Sequence, residues 1–203
     1  MSGKHWFLPA TPDVLGILGR QVDITVGGFA SFSEWAKGSK EAVQQITDAE
    51  HEANDVRREL ARELKAAFST PLPQEDVLSL SERLSAVLRR AKNVVRETQL
   101  LDVKPDLAVV SMAAAAQEGV SQLAVGMTHL VGDNDVATAA ADAAIQVARR
   151  MEKIYRKAMS ELLTEPDLRM VLGQREMYRR SLEVGERIDA AAERIWYAVV
   201  KES

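Results

Sequence analysis

An all-α fold of six helices, arranged as two pseudo-repeated three-helix units, is the architecture this sequence predicts. Three observations carry that expectation. Apolar residues in every long segment recur at steps of three and four, the spacing of one helical face. Every break between segments carries Pro, Gly or Asp, which interrupt or cap helices. Ala, Leu, Val, Glu and Arg dominate and only 5% of residues are aromatic, a bias toward helix and away from sheet. Hydrophobic residues make up 46% of the 203, enough to fill one core, so residues 1–203 are expected to form a single domain.

Residues 1–10 read as an N-terminal arm, with Trp6, Phe7 and Leu8 ahead of Pro9 placed to tuck against a bundle end. Thr11 is a capping residue and Pro12 suits the first position of a helix that runs to about residue 37. Val14, Leu15, Leu18, Val22, Val26, Phe29, Phe32 and Trp35 make its inner face. Gly27-Gly28 in mid-helix marks a bend or a close helix contact. No strand, lysine or serine stands beside it at the spacing of a phosphate-cradling loop.

Residues 46–95 read as a helical hairpin around which the rest is organised. The first helix places Ile46, Ala49, Ala53, Val56, Leu60, Leu64 and Ala67 on one face. Phe68-Ser69-Thr70-Pro71-Leu72-Pro73 ends it, because each Pro lacks an N–H and restricts the residue before it. The second helix restarts near Pro73, with Glu75 and Asp76 in its first turn, where the positive end of the dipole favours acids. Val77, Leu80, Leu84, Val87, Ala91 and Val94 point inward before it ends near Leu101.

Pro105 and Asp106 start a fourth helix, which runs to about Val131. Gly132-Asp133-Asn134-Asp135 then forms a turn with an N-cap at Asp135. That tetrapeptide is no calcium loop, since no glutamate follows in the required frame. The fifth helix runs to about Thr164, with Ala144, Val147, Met151, Ile154 and Ala158 inward. Glu165-Pro166-Asp167 breaks it. The sixth carries Met177, Ser181, Val184, Ile188, Ala191 and Ile195 on one seam. Setting Leu64 against Leu162 also matches Glu63 with Glu161 and Arg58 with Arg156, and setting Val87 against Val184 matches Arg90 with Arg187. The pseudo-repeats therefore fall at about 11–101 and 105–203.

The formal charge is −4 with a pI of about 5.5, and no block of Lys or Arg forms a basic face, so nucleic acid is not an expected partner. No apolar run reaches the roughly 18 residues of a membrane span, and no apolar signal core follows Lys4. The absence of cysteine removes disulfides and thiolate metal sites and points to a cytoplasmic location. Catalytic motifs are missing as well. His51-Glu52 opens like a zinc-protease motif, but its second histidine would stand where Asp55 does. His5, His51 and His129 have no partner at ligand spacing, and no nucleophile elbow or dinucleotide loop occurs, so the chain is not expected to be an enzyme.

The segment Ala49-Glu50-His51-Glu52-Ala53-Asn54, followed one helix later by Phe68-Ser69-Thr70-Pro71-Leu72-Pro73-Gln74-Glu75-Asp76-Val77, resembles the PhoU-like family of phosphate-transport regulators. More narrowly, it is similar to the branch that accompanies Pit-type phosphate permeases, an opening like Phe7-Leu8-Pro9 and an ending like Val199-Val200-Lys201 included. The resemblance implies tandem three-helix repeats and a non-enzymatic regulator that contacts a phosphate permease, peripheral to the inner membrane through that partner. It is compatible with a homo-oligomer. It also implies carboxylates spaced by four on facing helices, which put two oxygen ligands on one face toward a hard metal ion.

Carried onto this chain, those positions fall on Glu50, Asn54, Ser85 and Arg89 in the first half, and on Ala148, Glu152, Leu182 and Glu186, with Asp189 one turn on, in the second. Each lies one residue past an inward seam, at the border of the core. Only Glu50 stays acidic in the first half, where Arg89 and Lys92 supply cations that can pair with Glu50 or Glu52 in place of a metal. Glu152, Glu186 and Asp189 remain as the metal ligands, for a divalent or iron-type ion, although Ala148 and Leu182 remove two expected members of the set and Arg149, Arg150 or Arg187 can balance the acids instead. Two alternatives to the phosphate regulator stand beside it: a metal-binding bundle and a scaffold without ligand.

Overall fold

The structure, a computed structural model, describes residues 13–202, of which 86% are helical with no strand among them. Six helices follow in order: α1 (Val14–Ala36), α2 (Glu41–Ala66), α3 (Gln74–Leu101), α4 (Leu107–Thr128), α5 (Asn134–Leu162) and α6 (Leu168–Glu202). The expected breaks all occur, but several caps differ. Thr11 and Pro12 lie outside the described residues. Asp13 caps α1, accepting from the Gly16 N–H at 2.8 Å, and the helix starts at Val14. Asp106 caps α4 through the Ala108 and Val109 N–H groups, so Pro105 precedes the helix rather than opening it. Asp133, not Asp135, caps α5: its carboxylate reaches the Val136 N–H at 3.1 Å, and Asp135 falls in the first turn. Each aspartate satisfies an N–H that the helix itself leaves unpaired.

Helices α1, α2 and α3 pack on one another in sequence, and so do α4, α5 and α6. The two units then meet through α1 against α4 and α3 against α6. Among the described residues α2 touches only α1 and α3, and α5 only α4 and α6. The core therefore lies between α1, α3, α4 and α6, with α2 and α5 as outriggers. This shifts the centre of the molecule. The α2–α3 hairpin forms as expected, yet α2 packs more extensively on α1 than on α3.

Phe29, Phe32, Leu60, Leu84, Leu88, Met151 and Ile188 are fully buried, each worth about 1.5–3 kcal/mol of transfer from water. Gly28 explains the close approach of three helices. A Cβ there would fall 2.6 Å from Leu88 Cδ1 and 3.2 Å from Ala49 Cβ, so a side chain at 28 would displace Leu88 where α1 lies against α2 and α3. Between α1 and α3 runs a buried polar clasp. Gln21 donates to the Ser81 carbonyl at 2.9 Å and to Ser85 Oγ at 3.0 Å, while the Ser81 hydroxyl donates back to Gln21 Oε1 at 2.5 Å. All three side chains are buried and each is hydrogen-bonded, the condition under which polar groups are tolerated in a core.

Candidate functional site

The matched positions of the two units come out differently. In the first unit Glu50 is not at the border of the core but inside it, only 5% exposed, while its neighbour Ala49 is half-buried. The apolar seam itself holds, with Ile46, Ala53, Leu60 and Leu64 buried, and Glu50 enters the core beside it, where it meets Lys92 of α3. Lys92 Nζ forms an ion pair with Glu50 Oε2, and Asn54 donates to Oε1 at 2.6 Å. Burial pushes the Glu50 carboxyl up; the Lys92 hydrogen bond and charge, with help from Asn54 and His51, outweigh it and hold the group below its ordinary value.

The expected ion pair across the hairpin thus forms, through Lys92 alone. Arg89 and Glu52 are both exposed and make no ion pair among the described residues. Ser85 is also misplaced by the sequence reading: it faces α1 and is buried in the Gln21 clasp. These residues do not fit a metal ion. Their one buried carboxylate is already neutralised, and the other positions are an amide bound to it, a hydroxyl turned away and an exposed cation.

In the second unit Ala148, Glu152, Leu182, Glu186 and Asp189 line one open cleft of ≈ 400 Å³ between α5 and α6, together with Ile145, Arg149, Gly185 and Glu193. All five carried-over positions therefore meet, and the sequence reading missed Glu193, one turn beyond Asp189 on the same helical face. Glu152 pairs with Arg156 along α5. Burial and then the neighbouring Glu193 push the Asp189 carboxyl up, against a smaller downward pull from Arg149. Among the described residues no group of three or more His, Asp or Glu side chains stands close enough to share one ion. As placed, the cleft is acidic and loosely spread, not a preformed chelate.

A second charged region escaped the sequence altogether. Arg90 and Glu97 on α3 meet Glu183 and Arg180 on α6 at 2.7 Å each. Arg179 and Arg180 also bracket Glu176 at 2.6 and 2.8 Å, and the Arg179 hydrogen bond, opposed by partial burial and joined by Arg180, carries its carboxyl down to about 2. At the other end of the same helix pair, Asp76 is buried and bonded by Arg194 and by Lys201 at 3.3 Å, while Arg194 lies 4.8 Å over the Tyr197 ring. Asp76 was expected as a first-turn acid serving the α3 dipole. It also ties α3 to the last turns of α6, and no local spacing signals a partner 118 residues away.

No protein-family model matches the sequence, and no curated protein does. Solved structures match its fold. A PhoU-like protein from Shewanella oneidensis MR-1 superposes with a TM-score of 0.69 over 93% of this chain and 100% of its own, at 15% identity. A second protein of that organism, described as a PhoU-like phosphate regulatory protein, gives 0.66 over 93% and 96%, also at 15% identity. PhoU from Pseudomonas aeruginosa gives 0.59 over 94% and 93%, at 18% identity. At such identities the likeness is one of fold, and over nearly its whole length this chain has the fold of PhoU-like proteins.

Proposed function

We propose that this protein is a non-enzymatic regulator of inorganic phosphate transport that acts by contact with a Pit-type permease at the cytoplasmic face of the membrane. The observation that supports it is the whole-chain fold likeness to PhoU-like proteins, one of them described as phosphate regulatory. The residues 49–54 and 68–77 add the narrower link to permease-associated proteins. Among the described residues no helix is long and apolar enough to cross a membrane, so contact with the bilayer would run through the permease. The test is uptake of radiolabelled phosphate by cells carrying the permease with and without this chain, alongside co-purification of the two. Altered uptake with co-purification supports the reading; unchanged uptake and no co-purification sink it.

A second reading, a regulator that responds to a divalent cation, is favoured by the α5–α6 cleft alone. Glu186 has no ion pair among the described residues, and Asp189 bears the charge of Glu193 beside it. A cation drawn among Glu152, Glu186 and Asp189 would relieve that repulsion once the side chains turned inward. Elemental analysis of protein purified without chelator should find no more than about one tightly bound metal per chain, since the first unit has its own cation. Its loss in Glu186→Ala would place the metal here, and protein free of metal even after incubation with manganese or iron would discard this reading without touching the first.

A further inference from the structure

Arg89 and Arg96 on α3 are exposed, and neither makes a hydrogen bond or ion pair among the described residues. Residues 1–12 hold no Asp or Glu. Lys92, between the two arginines, is turned inward to Glu50. The arginines stand seven residues apart, which puts them on one helical face about 10 Å from each other. Under the shift of 97 positions that matches α3 with α6, they become Glu186 and Glu193. Those glutamates are exposed as well, and they too make no hydrogen bond or ion pair among the described residues. One turn on, each row ends in an apolar group: Leu100, 79% exposed, and Tyr197, 51% exposed. Within the molecule the rows do not meet. What joins α3 to α6 beside them is Arg90 with Glu183 and Glu97 with Arg180.

We propose that the Arg89, Arg96 and Leu100 row of one copy docks on the Glu186, Glu193 and Tyr197 row of a second copy of this chain. Charge and spacing agree. With the two helices side by side and running the same way, Arg89 faces Glu186, Arg96 faces Glu193 and Leu100 meets Tyr197. The cleft beside the acidic row adds Glu152 and Asp189, and Arg149 is its only cation among the described residues. A second copy thus brings the α5–α6 cleft the positive charge that Lys92 brings to Glu50 within the first unit. Each contact leaves one copy with a free acidic row and the other with a free basic row, so such contacts extend into chains or close into rings. Because exposed charges carry the contact, salt weakens it.

Sedimentation velocity on the full chain at high micromolar concentration, with chelator present, tests the contact. The parent is expected to associate in about 0.05 M salt and to dissociate in about 0.5 M salt. Arg89→Glu with Arg96→Glu leaves both rows acidic, and Glu186→Arg with Glu193→Arg leaves both basic. Each double variant alone should associate at least about tenfold more weakly than the parent, with helicity unchanged by circular dichroism. Mixed in equal amounts, the two variants should associate again, since each then meets the opposite charge. A parent that stays monomeric in low salt would overturn the inference. So would double variants that associate like the parent, or a mixture that associates no better than its components. Association found only when manganese replaces the chelator would overturn it as well, and would assign the acids to a bridging metal.

Discussion

The two outrigger helices face the same problem, a carboxylate at the edge of a helical seam, and resolve it in opposite ways. On α2, Glu50 is buried because Lys92 stands on the facing helix. On α5 and α6 the place matched to Lys92 is Asp189, a shift of 97 positions, and there the acids stay apart in an open cleft. The matched positions differ throughout, Glu50 with Ala148, Asn54 with Glu152, Arg89 with Glu186 and Lys92 with Asp189, so the first unit closes on an ion pair while the second gathers its acids in an open cleft. A built-in cation lets a carboxylate enter the core; without it the carboxylates spread toward water.

The largest effect should come from giving the first unit the second unit's residue. Lys92→Asp removes the cation from a buried carboxylate and sets a like charge beside it. A loss of about 3–5 kcal/mol is expected, read as a fall in melting temperature of about 6–20 °C. Lys92→Met combined with Glu50→Gln should recover most of that loss, since neither a charge nor a lone partner is then left inside. If Lys92→Asp melted like the parent, the burial of Glu50 would not depend on its cation.

The pH dependence of the two sites should carry opposite signs. Glu50 has a folded value below 4.5, so its contribution is complete above that pH and is lost as the pH falls through the folded value. Asp189 has a folded value above 3.8, so it favours the folded state below that pH and loses that advantage as the pH rises through the folded value. Urea melts between pH 3 and 7 should show Glu50→Gln flattening the acid limb. Asp189→Asn should instead raise stability at neutral pH by about 2 °C or less in melting temperature. An Asp189→Asn protein less stable than the parent at pH 7 would mean that Arg149, not Glu193, governs that carboxyl.

The helices could be read from the chain because local rules set them: all six α6 seam residues from Met177 to Ile195 are buried, while Leu15, Val26, Ala49, Val56 and Ile154 of the other seams are only partly so. Capping was read less well. Asp133 and Asp135 are both good caps in sequence, and only the backbone geometry decides that Asp133 serves α5. At the site, register carried the five second-unit positions into one cleft, since helical spacing alone fixes which residues share a face. What escaped depended on partners distant in sequence. Ser85 turned toward Gln21 on another helix, Glu50 met Lys92 inside the core, and Asp76 found Arg194 and Lys201. A seam pattern gives a residue's face to within one position, and one position decides between border and core.

The smallest effect should come from the second unit's own ion pair. Arg156 and Glu152 sit four residues apart on α5 with side chains 69% and 47% exposed. Both ions keep much of their hydration, both lose side-chain freedom on pairing, and salt screens what is left. Arg156→Ala should therefore cost about 0.5 kcal/mol or less, and less still at high salt. This pair lies within one helix and is exposed, whereas Lys92 with Glu50 crosses the hairpin and is buried, so Arg156→Ala beside Lys92→Ala compares the loss of a cation at an exposed and at a buried carboxylate. A loss from Arg156→Ala as large as that from Lys92→Asp would show that the cleft is far less open to water than its exposed side chains indicate.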